Sequence, residues 1–264
     1  MIAKAGTPVR IRLIDIHVGF GDQPVLKGVN LEVYEGETLV VVGRSGEGKT
    51  VLLKIIDGLL QPERGEVWID NVRTDTLSPR QLIPFRRKIA MVFQGSALFD
   101  SMTVAENVAF PYQEKKSTSA ADLRDRVHNN LRRVHLDDAS VLEKKPAELS
   151  GGMKKRVGVA RALSVEPEII LYDEPTTGLD PVTADAINDL ILETQASTNA
   201  TSVVVTHDMA SAFKVGDRVA MLHGGQVVYV GGVEETQTST NPMVNQFVEG
   251  NAVGPLTEGG EEIG

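Results

Sequence analysis

Hydrophobic positions along the chain switch between a period of two and a period of three or four, which separates predicted strands from predicted helices. Residues 10–42 carry clusters of Ile, Val and Leu around the turn residues 21–24, which predicts an antiparallel hairpin followed by a buried strand at 39–42. Further strands are predicted at 66–69, 91–94, 168–174 and 202–206, and a final hairpin at 217–230.

The stretch from residue 96 to about 149 has helical spacing. Leu123, Val127, Leu131 and Val134 recur every three or four positions, so they share one face of a helix. We expect a mainly helical insertion between strands, which gives an α/β chain overall.

Polar residues mark the starts of two later helices. Ser150 is a candidate N-cap for a helix at 154–163, and Asp180, followed by proline, is a candidate cap for a helix from 181 to about 196. The residues that open the first of these helices are basic, and we interpret them as a solvated face: Lys154, Lys155 and Arg156.

A glycine-rich segment follows the buried strand at 39–42 and precedes a helix. Residues 43–50 read GRSGEGKT, which fits the P-loop pattern G-x-x-x-x-G-K-[ST] in its required strand–loop–helix setting. Such a loop turns backbone N–H groups towards a polyphosphate, with Lys49 on the β- and γ-phosphates and the Thr50 hydroxyl on Mg²⁺. The alternative is a glycine-rich turn before an ordinary helix.

Two neighbouring carboxylates, Asp173 and Glu174, end the predicted strand at 168–174. In an α/β sheet with a P-loop, this edge is where Mg²⁺ and catalytic groups gather. The alternative for Glu174 is a salt-bridged structural acid. His207 likewise ends the next strand, and a lone histidine is otherwise usually structural or exposed; His17, His128, His135 and His223 are interpreted as ordinary residues.

Composition narrows the functional classes. The 264 residues carry a formal net charge of -9, which argues against a nucleic-acid backbone as the main partner. The absence of cysteine excludes disulfides, thiolate metal sites and cysteine nucleophiles. The N-terminus lacks an apolar core of signal-peptide length, and apolar runs fall short of the roughly 18 residues that span a bilayer. We therefore expect a cytoplasmic protein that is peripheral if it works at a membrane.

Six motifs in order (GRSGEGKT, a Gln after a strand at 94, LSGGM, ILYDEP, TGLD and VTHD) resemble those of the nucleotide-binding subunits of ATP-binding cassette (ABC) transporters. The resemblance covers about 10–232 and leaves 233–264 as a C-terminal tail, whose polar, glycine-rich composition predicts disorder at 258–264. It implies a P-loop NTPase (RecA-like) α/β core with a mixed sheet, an antiparallel β subdomain and a helical subdomain at about 96–160. It also implies a head-to-tail homodimer that encloses two ATP molecules.

The resemblance also implies roles for individual residues. Phe20 would stack on adenine, although a core position is its alternative. Gln94 would complete the Mg²⁺ shell with Thr50 and Asp173, Glu174 would act as general base, and His207 would hold the γ-phosphate. Asp180 would face across the dimer, or serve only as a helix cap. The implied phosphate-binding residues are Gly43, Arg44, Ser45, Gly46, Glu47, Gly48, Lys49, Thr50 and Val51, with Ser150, Gly151 and Gly152 acting on the partner's ATP.

Met153 stands where the family usually has Gln. Together with FQGSALFDSMTVAENVAFP and NPMVNQFVEGNAVGP, it resembles the Mla-type ATPases, which work with MCE-domain proteins in lipid traffic. That implies a polytopic permease, an MCE-domain lipid-binding protein and, in some systems, a STAS-domain subunit as partners. It also implies that this chain is peripheral at the cytoplasmic face of the inner (cell) membrane. Leu98, Phe99 and Met102 would receive the permease, or else pack under the helical insertion.

Other functions remain open on the sequence. The same ATPase could drive a different cargo, such as polar amino acids. A non-transport ABC switch or scaffold is a second alternative. A nucleotide-binding regulator without turnover is disfavoured by Glu174 and His207.

Overall fold

The computed structural model describes residues 6–114 and 119–257, and the chain divides into two compact units. The first combines the two ends of the chain, Met1–Leu77 and Val203–Gly264, and the second is the intervening Ser78–Ser202. Each unit is described in turn.

An antiparallel sheet occupies the beginning of the first unit. Its strands are β1 (Val9–Phe20), β2 (Gln23–Tyr34), β4 (Arg64–Ile69) and β5 (Val72–Arg73), in the order β2-β1-β4-β5. The buried residues of β1 skip from Leu13 to Ile16 because the register shifts there and Asp15 adopts a left-handed φ of 50°. This bulge interrupts the period-two pattern but keeps the apolar residues on the core side.

A mixed sheet holds the P-loop in the same unit. Its strands are β3 (Thr38–Val42), β8 (Thr201–Thr206), β9 (Arg218–His223) and β10 (Gln226–Gly232), with helix α1 (Lys49–Ile56) after β3 and α8 (Met209–Val215) after β8. The order is β10-β9-β3-β8, with β3 parallel to β9 and β9 antiparallel to β10. Every residue of β3 is buried, as its unbroken apolar run predicts.

The tail of the first unit is more ordered than its polar composition indicates. It forms α9 (Val233–Gln237) and α10 (Pro242–Glu249), and the following residues fold back on α10. Gln246 organises this return because its Oε1 accepts from Leu256 N at 2.7 Å and its Nε2 donates to Asn251 O at 3.1 Å. The predicted disorder at 258–264 lies outside the described residues.

The second unit is mainly helical around a parallel strand pair. Its elements are α2 (Pro79–Arg86), β6 (Ile89–Val92), α3 (Val104–Ala109), α4 (Ala120–Arg133), α5 (Ala139–Leu142), α6 (Gly151–Leu163), β7 (Ile169–Asp173) and α7 (Pro181–Thr198). Val127, Leu131 and Val134 are buried as the helical spacing predicts. Within the described ranges, helices that are both long and apolar enough to cross a membrane do not occur.

Candidate nucleotide site

The loop between β3 and α1 has the backbone that phosphate binding requires. Gly46 and Gly48 have φ values of 86° and 97°, a region that favours glycine. Gly43 is constrained differently, since a Cβ there would collide with the carbonyl oxygen of Leu222 in β9. The loop therefore turns tightly between a buried strand and a helix N-terminus, where backbone N–H groups and the helix dipole favour anions.

Two charged side chains of the loop have defined partners. Lys49 is buried, and its Nζ donates to Gly43 O at 2.7 Å and Arg44 O at 3.1 Å, so the ammonium group lies against the loop backbone. Glu47 Oε2 accepts from Gly224 N at 2.6 Å, and Oε1 lies 3.1 Å from Nδ1 of His223. His223, interpreted from the sequence as an ordinary residue, thus helps to fix the loop.

A cavity of about 700 Å³ adjoins the loop in the same unit. It brings together Arg44, Ser45 and Glu47 of the loop with His207 from the end of β8. Its opposite wall is the tail: Gln246, Phe247, Gly250, Asn251, Ala252, Leu256 and Thr257. Arg44 Nη1 also donates to Leu256 O at 3.4 Å. Sequence reasoning did not anticipate this wall, since contacts between such distant segments leave no local pattern.

Three further candidates, Gln94, Asp173 and Glu174, belong to the second unit, where they lie at the ends of two paired strands. β6 and β7 are parallel, with Val92 opposite Tyr172. Gln94, Asp173 and Glu174 therefore lie at the same edge of this strand pair, where both strands end. Asp173 and Glu174 are only 5% and 9% exposed. Thr177 Oγ1 donates to Glu174 Oε2 at 2.9 Å, which orients that carboxylate.

Lys155 was interpreted as solvated, and this prediction is wrong. It is 5% exposed, and its Nζ donates to Gln94 O at 2.6 Å and to Glu174 O at 3.2 Å. Burial lowers the pKa of its ammonium group, while the charges of Asp173 and Glu174 act in the opposite direction. A sequence signal existed: Lys155 lies three residues after Gly152 and four before Val159, both buried on the same face of α6.

The serine–glycine turn opens α6 directly. Ser150 is the N-cap, its hydroxyl accepting from Met153 N at 3.3 Å, and the helix begins at Gly151 rather than at 154. A Cβ on Gly152 would come within 2.6 Å of the Thr183 methyl group in the first turn of α7, so this position has no room for a side chain. The arrangement presents backbone N–H groups at a helix start, which suits an anionic ligand.

Asp180 caps α7. Its Oδ1 accepts from the amides of Val182 and Thr183, and its Oδ2 accepts from the Thr183 hydroxyl at 2.6 Å. Hydrogen bonds from Thr183 lower the pKa of the Asp180 carboxyl. The cap interpretation therefore holds, and an exposed carboxylate can still face a partner.

Phe20 lies at the end of β1 and is 55% exposed. The alternative of a core position is therefore wrong. An exposed ring at a strand end can stack on a flat ligand.

The donor types fit ATP with Mg²⁺. The Thr50 hydroxyl, the Gln94 amide oxygen and the Asp173 carboxylate are hard oxygen donors of the kind that Mg²⁺ takes together with phosphate oxygens. Among the residues that the structure describes, no cluster of three or more His, Asp or Glu could hold a metal by itself.

Comparisons with known sequences find a matching family model and several relatives. Residues 26–177 match the family model described as ABC transporter. The protein TRIGALACTOSYLDIACYLGLYCEROL 3 of Arabidopsis thaliana chloroplasts is 40% identical over 94% of this chain and 76% of its own length. The probable ribonucleotide transport ATP-binding protein mkl of Mycobacterium leprae is 40% identical over 94% and 71%. The intermembrane phospholipid transport system ATP-binding protein MlaF of Escherichia coli is 36% identical over 92% and 89%.

A solved structure has the same architecture. The ATP-binding cassette MJ0796, a dimer in a post-hydrolysis state bound to ADP and Pi, superposes with a TM-score of 0.77 at 37% identity, covering 84% of this chain and 98% of its own. The α/β fold with a mixed sheet and an antiparallel sheet, expected from the sequence, is confirmed.

Proposed function

The chain belongs to the ABC transporter family as an ATP-binding subunit with ATPase activity, and from this premise we propose that it drives lipid transport, of phospholipid above all. The observation that carries the proposal is the 36% identity, over 92% of this chain, to the intermembrane phospholipid transport system ATP-binding protein MlaF, in a chain that has a P-loop and two buried acids where a strand ends. We assign the ABC ATPase domain to 10–232, with a helical insertion at about 96–160 and a tail at 233–264.

We assign ATP to the P-loop. Loop N–H groups and Lys49 hold the phosphates, and Phe20 stacks on the base. Thr50, Gln94 and Asp173 hold Mg²⁺, which supplies charge neutralisation at the phosphates. The contacting residues in this assignment are Gly43, Arg44, Ser45, Gly46, Glu47, Gly48, Lys49, Thr50 and Val51.

Glu174 is the proposed general base. Its carboxylate is buried and oriented by Thr177, so it can take a proton from the attacking water. His207 donates to the γ-phosphate, and Gln94 reports whether that phosphate is present. In this assignment Glu174 removes the proton from water, and His207 stabilises the charge on the phosphate.

The working form is proposed to be a head-to-tail homodimer. MJ0796 is described as a dimer. The serine–glycine turn at the start of α6 is suited to bind a phosphate group, and we propose that this phosphate belongs to the ATP bound to the P-loop of the other copy. Ser150, Gly151 and Gly152 of one copy then complete the ATP site of the other, with Asp180 facing across the interface.

The proposed partners are a polytopic permease and an MCE-domain lipid-binding protein, joined in some systems of this type by a STAS-domain subunit, and this chain is proposed to bind the permease as a peripheral protein at the cytoplasmic face of the inner membrane. Purification of the assembled complex from membranes, followed by mass spectrometry of the bound small molecules, tests the cargo. Bound phospholipid supports the proposal. Bound ribonucleotide in excess of the ATP and ADP held by the nucleotide sites, without lipid, would favour the cargo named for mkl, and recovery without any integral membrane partner would favour a scaffold.

An exposed aromatic pair is the proposed permease contact. Phe99 and Phe110 are each 39% exposed with ring centroids 4.6 Å apart, and the guanidinium of Arg161 lies 5.7 Å from the Phe99 ring. Leu98 and Met102, close to Phe99 in the sequence, are half-buried. Part of each side chain packs against the protein, and part is accessible to a partner. Two adjoining exposed rings form a patch of the kind that binds a protein partner.

Replacing Phe99 by Asp is expected to release the permease, since a charge would have to be desolvated in an apolar contact; a loss of about tenfold or more in affinity is the expected scale. Copurification from detergent extracts measures it. Leu192→Asp is the matched control, because Leu192 is a similarly exposed apolar residue on α7, at 37%. A complex that survives Phe99→Asp intact would reject this surface.

A further inference from the structure

We propose that Lys155 is a positioning residue for ATP hydrolysis, joining the loop that carries Gln94 to the peptide that carries Glu174. It acts through these two residues and need not touch the nucleotide. The inference rests on the proposed function, in which Gln94 and Glu174 act on the γ-phosphate and the attacking water.

The geometry of the ammonium group supports this role. Lys155 Nζ lies 2.6 Å from Gln94 O and 3.2 Å from Glu174 O, and the side chain is almost fully buried. An ammonium group has three donors, and two of them reach backbone oxygens of residues that follow different strands. Because a buried donor that loses its acceptor is costly, movement of either peptide away from Lys155 is opposed.

Both peptides are in conformations that need support. Glu174 has a φ of 46°, and Ser96 and Ala97, just after Gln94, have φ values of 61° and 45°. Residues with a Cβ rarely adopt this left-handed region, and they stay there only when the surroundings hold them. Lys155 therefore contacts the backbone at Glu174 and beside Ser96 and Ala97, where the φ angles would otherwise relax to more common values.

A second cation of α6 acts on the same loop. Arg161 donates from Nη1 to Ala97 O at 2.7 Å and from Nη2 to Ser96 O at 2.9 Å. Through these two side chains, helix α6 is hydrogen-bonded to the loop at Gln94, Ser96 and Ala97. Lys155 is also hydrogen-bonded to the backbone of Glu174. The Ser150–Gly152 segment that opens α6 lies one helical turn before Lys155. The same helix therefore carries this segment and the side chain that holds the two peptides.

A purely space-filling role does not account for the charge. Burying an ammonium group is expensive, and a methionine would fill similar volume without that cost. The two backbone carbonyls that accept from Nζ recover part of that cost, and they do so only because the charged group reaches both peptides. The charge is therefore retained where it fixes the backbone beside the catalytic acid.

Lys155→Met tests the proposal through catalysis. We expect kcat for ATP hydrolysis to fall roughly 10- to 100-fold while KM for ATP stays within about twofold, because the reacting groups lose alignment and the phosphate-binding loop does not. Lys155→Arg, which keeps a charged donor for both carbonyls, is expected to recover most of the rate. Lys154→Met, on the neighbouring and more exposed lysine of α6, is the control and should stay within about twofold.

Amide hydrogen exchange on the nucleotide-free protein gives a readout that does not depend on turnover. The amides of Ser96 and Thr177 bond to Phe93 O and Glu174 O. In Lys155→Met we expect both to exchange about tenfold faster or more, with the amides of α10 unchanged. If Lys155→Met fails to fold, the same measurements on Lys155→Gln decide the question.

Unchanged kcat and unchanged exchange in the Lys155 variants would overturn the proposal, as would an equal loss in Lys154→Met. A rise in KM equal to the loss in kcat would make Lys155 a nucleotide contact instead, and would also reject it. Glu174→Gln distinguishes failure of the proposed catalytic function from failure of the positioning role of Lys155. If Glu174→Gln turns over normally, the catalytic assignment itself fails; if it is inactive while Lys155→Met is normal, only the positioning role fails.

Discussion

Glu174→Gln is expected to lower kcat for ATP hydrolysis by about 10²- to 10⁴-fold, the usual range for loss of a general base. The amide keeps the size of the side chain and an oxygen that can accept from the Thr177 hydroxyl, so the local structure should persist. It cannot take a proton from water. Nucleotide affinity should change little, because the phosphate-binding loop is untouched.

The measurement pairs steady-state hydrolysis with light scattering in ATP. The variant is expected to accumulate as an ATP-bound dimer, since the step that releases the dimer is slowed. Glu168→Gln is the control: this acid lies at the other end of the same strand, half exposed and paired with Lys88 at 3.1 Å. Hydrolysis by Glu174→Gln at the wild-type rate would remove Glu174 from the role of base.

Local features of this chain could be predicted from its sequence. The P-loop depends on eight consecutive residues, and the glycines at 46 and 48 have the positive φ that the motif requires. Strand ends at 173 and 206, and the caps at Ser150 and Asp180, follow from patterns only a few residues long. For the same reason, the family could be identified from six short motifs.

Features that depend on distant partners could not be predicted. Lys155 lies between the basic residues Lys154 and Arg156 in a helix, yet its acceptors are Gln94, 61 residues earlier, and Glu174, 19 residues later. The tail reads as polar, but Gln246 folds it against the cavity beside the P-loop. His223 meets Glu47 across 176 residues. No periodicity or propensity encodes such pairings, because they are set by tertiary packing.

One consequence is that candidate catalytic residues are easier to recognise in a sequence than the residues that hold them in place. Motif residues such as Lys49, Asp173 and Glu174 can be identified from their types and positions at strand and loop ends. The helical spacing in α6 indicates that Lys155 is buried, but the groups held by Lys155, by Arg161 on α6 and by His223 at the end of β9 are recognisable only from the contacts of these side chains. Positioning residues therefore emerge from structure.

Lys49→Ala is expected to raise the dissociation constant for ATP by roughly 10²- to 10³-fold, since a charge-assisted contact to two phosphates is lost, equivalent to about 3–4 kcal/mol. Because Nζ also donates to Gly43 O and Arg44 O, the empty protein should lose about 1–2 kcal/mol of unfolding free energy as well. Lys54→Ala, on the exposed side of α1, controls for helix effects. Titration calorimetry gives the affinity, and denaturant unfolding with and without ATP separates the two losses, because only bound ligand adds RT ln(1 + [L]/Kd). An affinity for ATP within about twofold of wild type, at full folding, would reject the assignment of the 43–50 loop as the phosphate site.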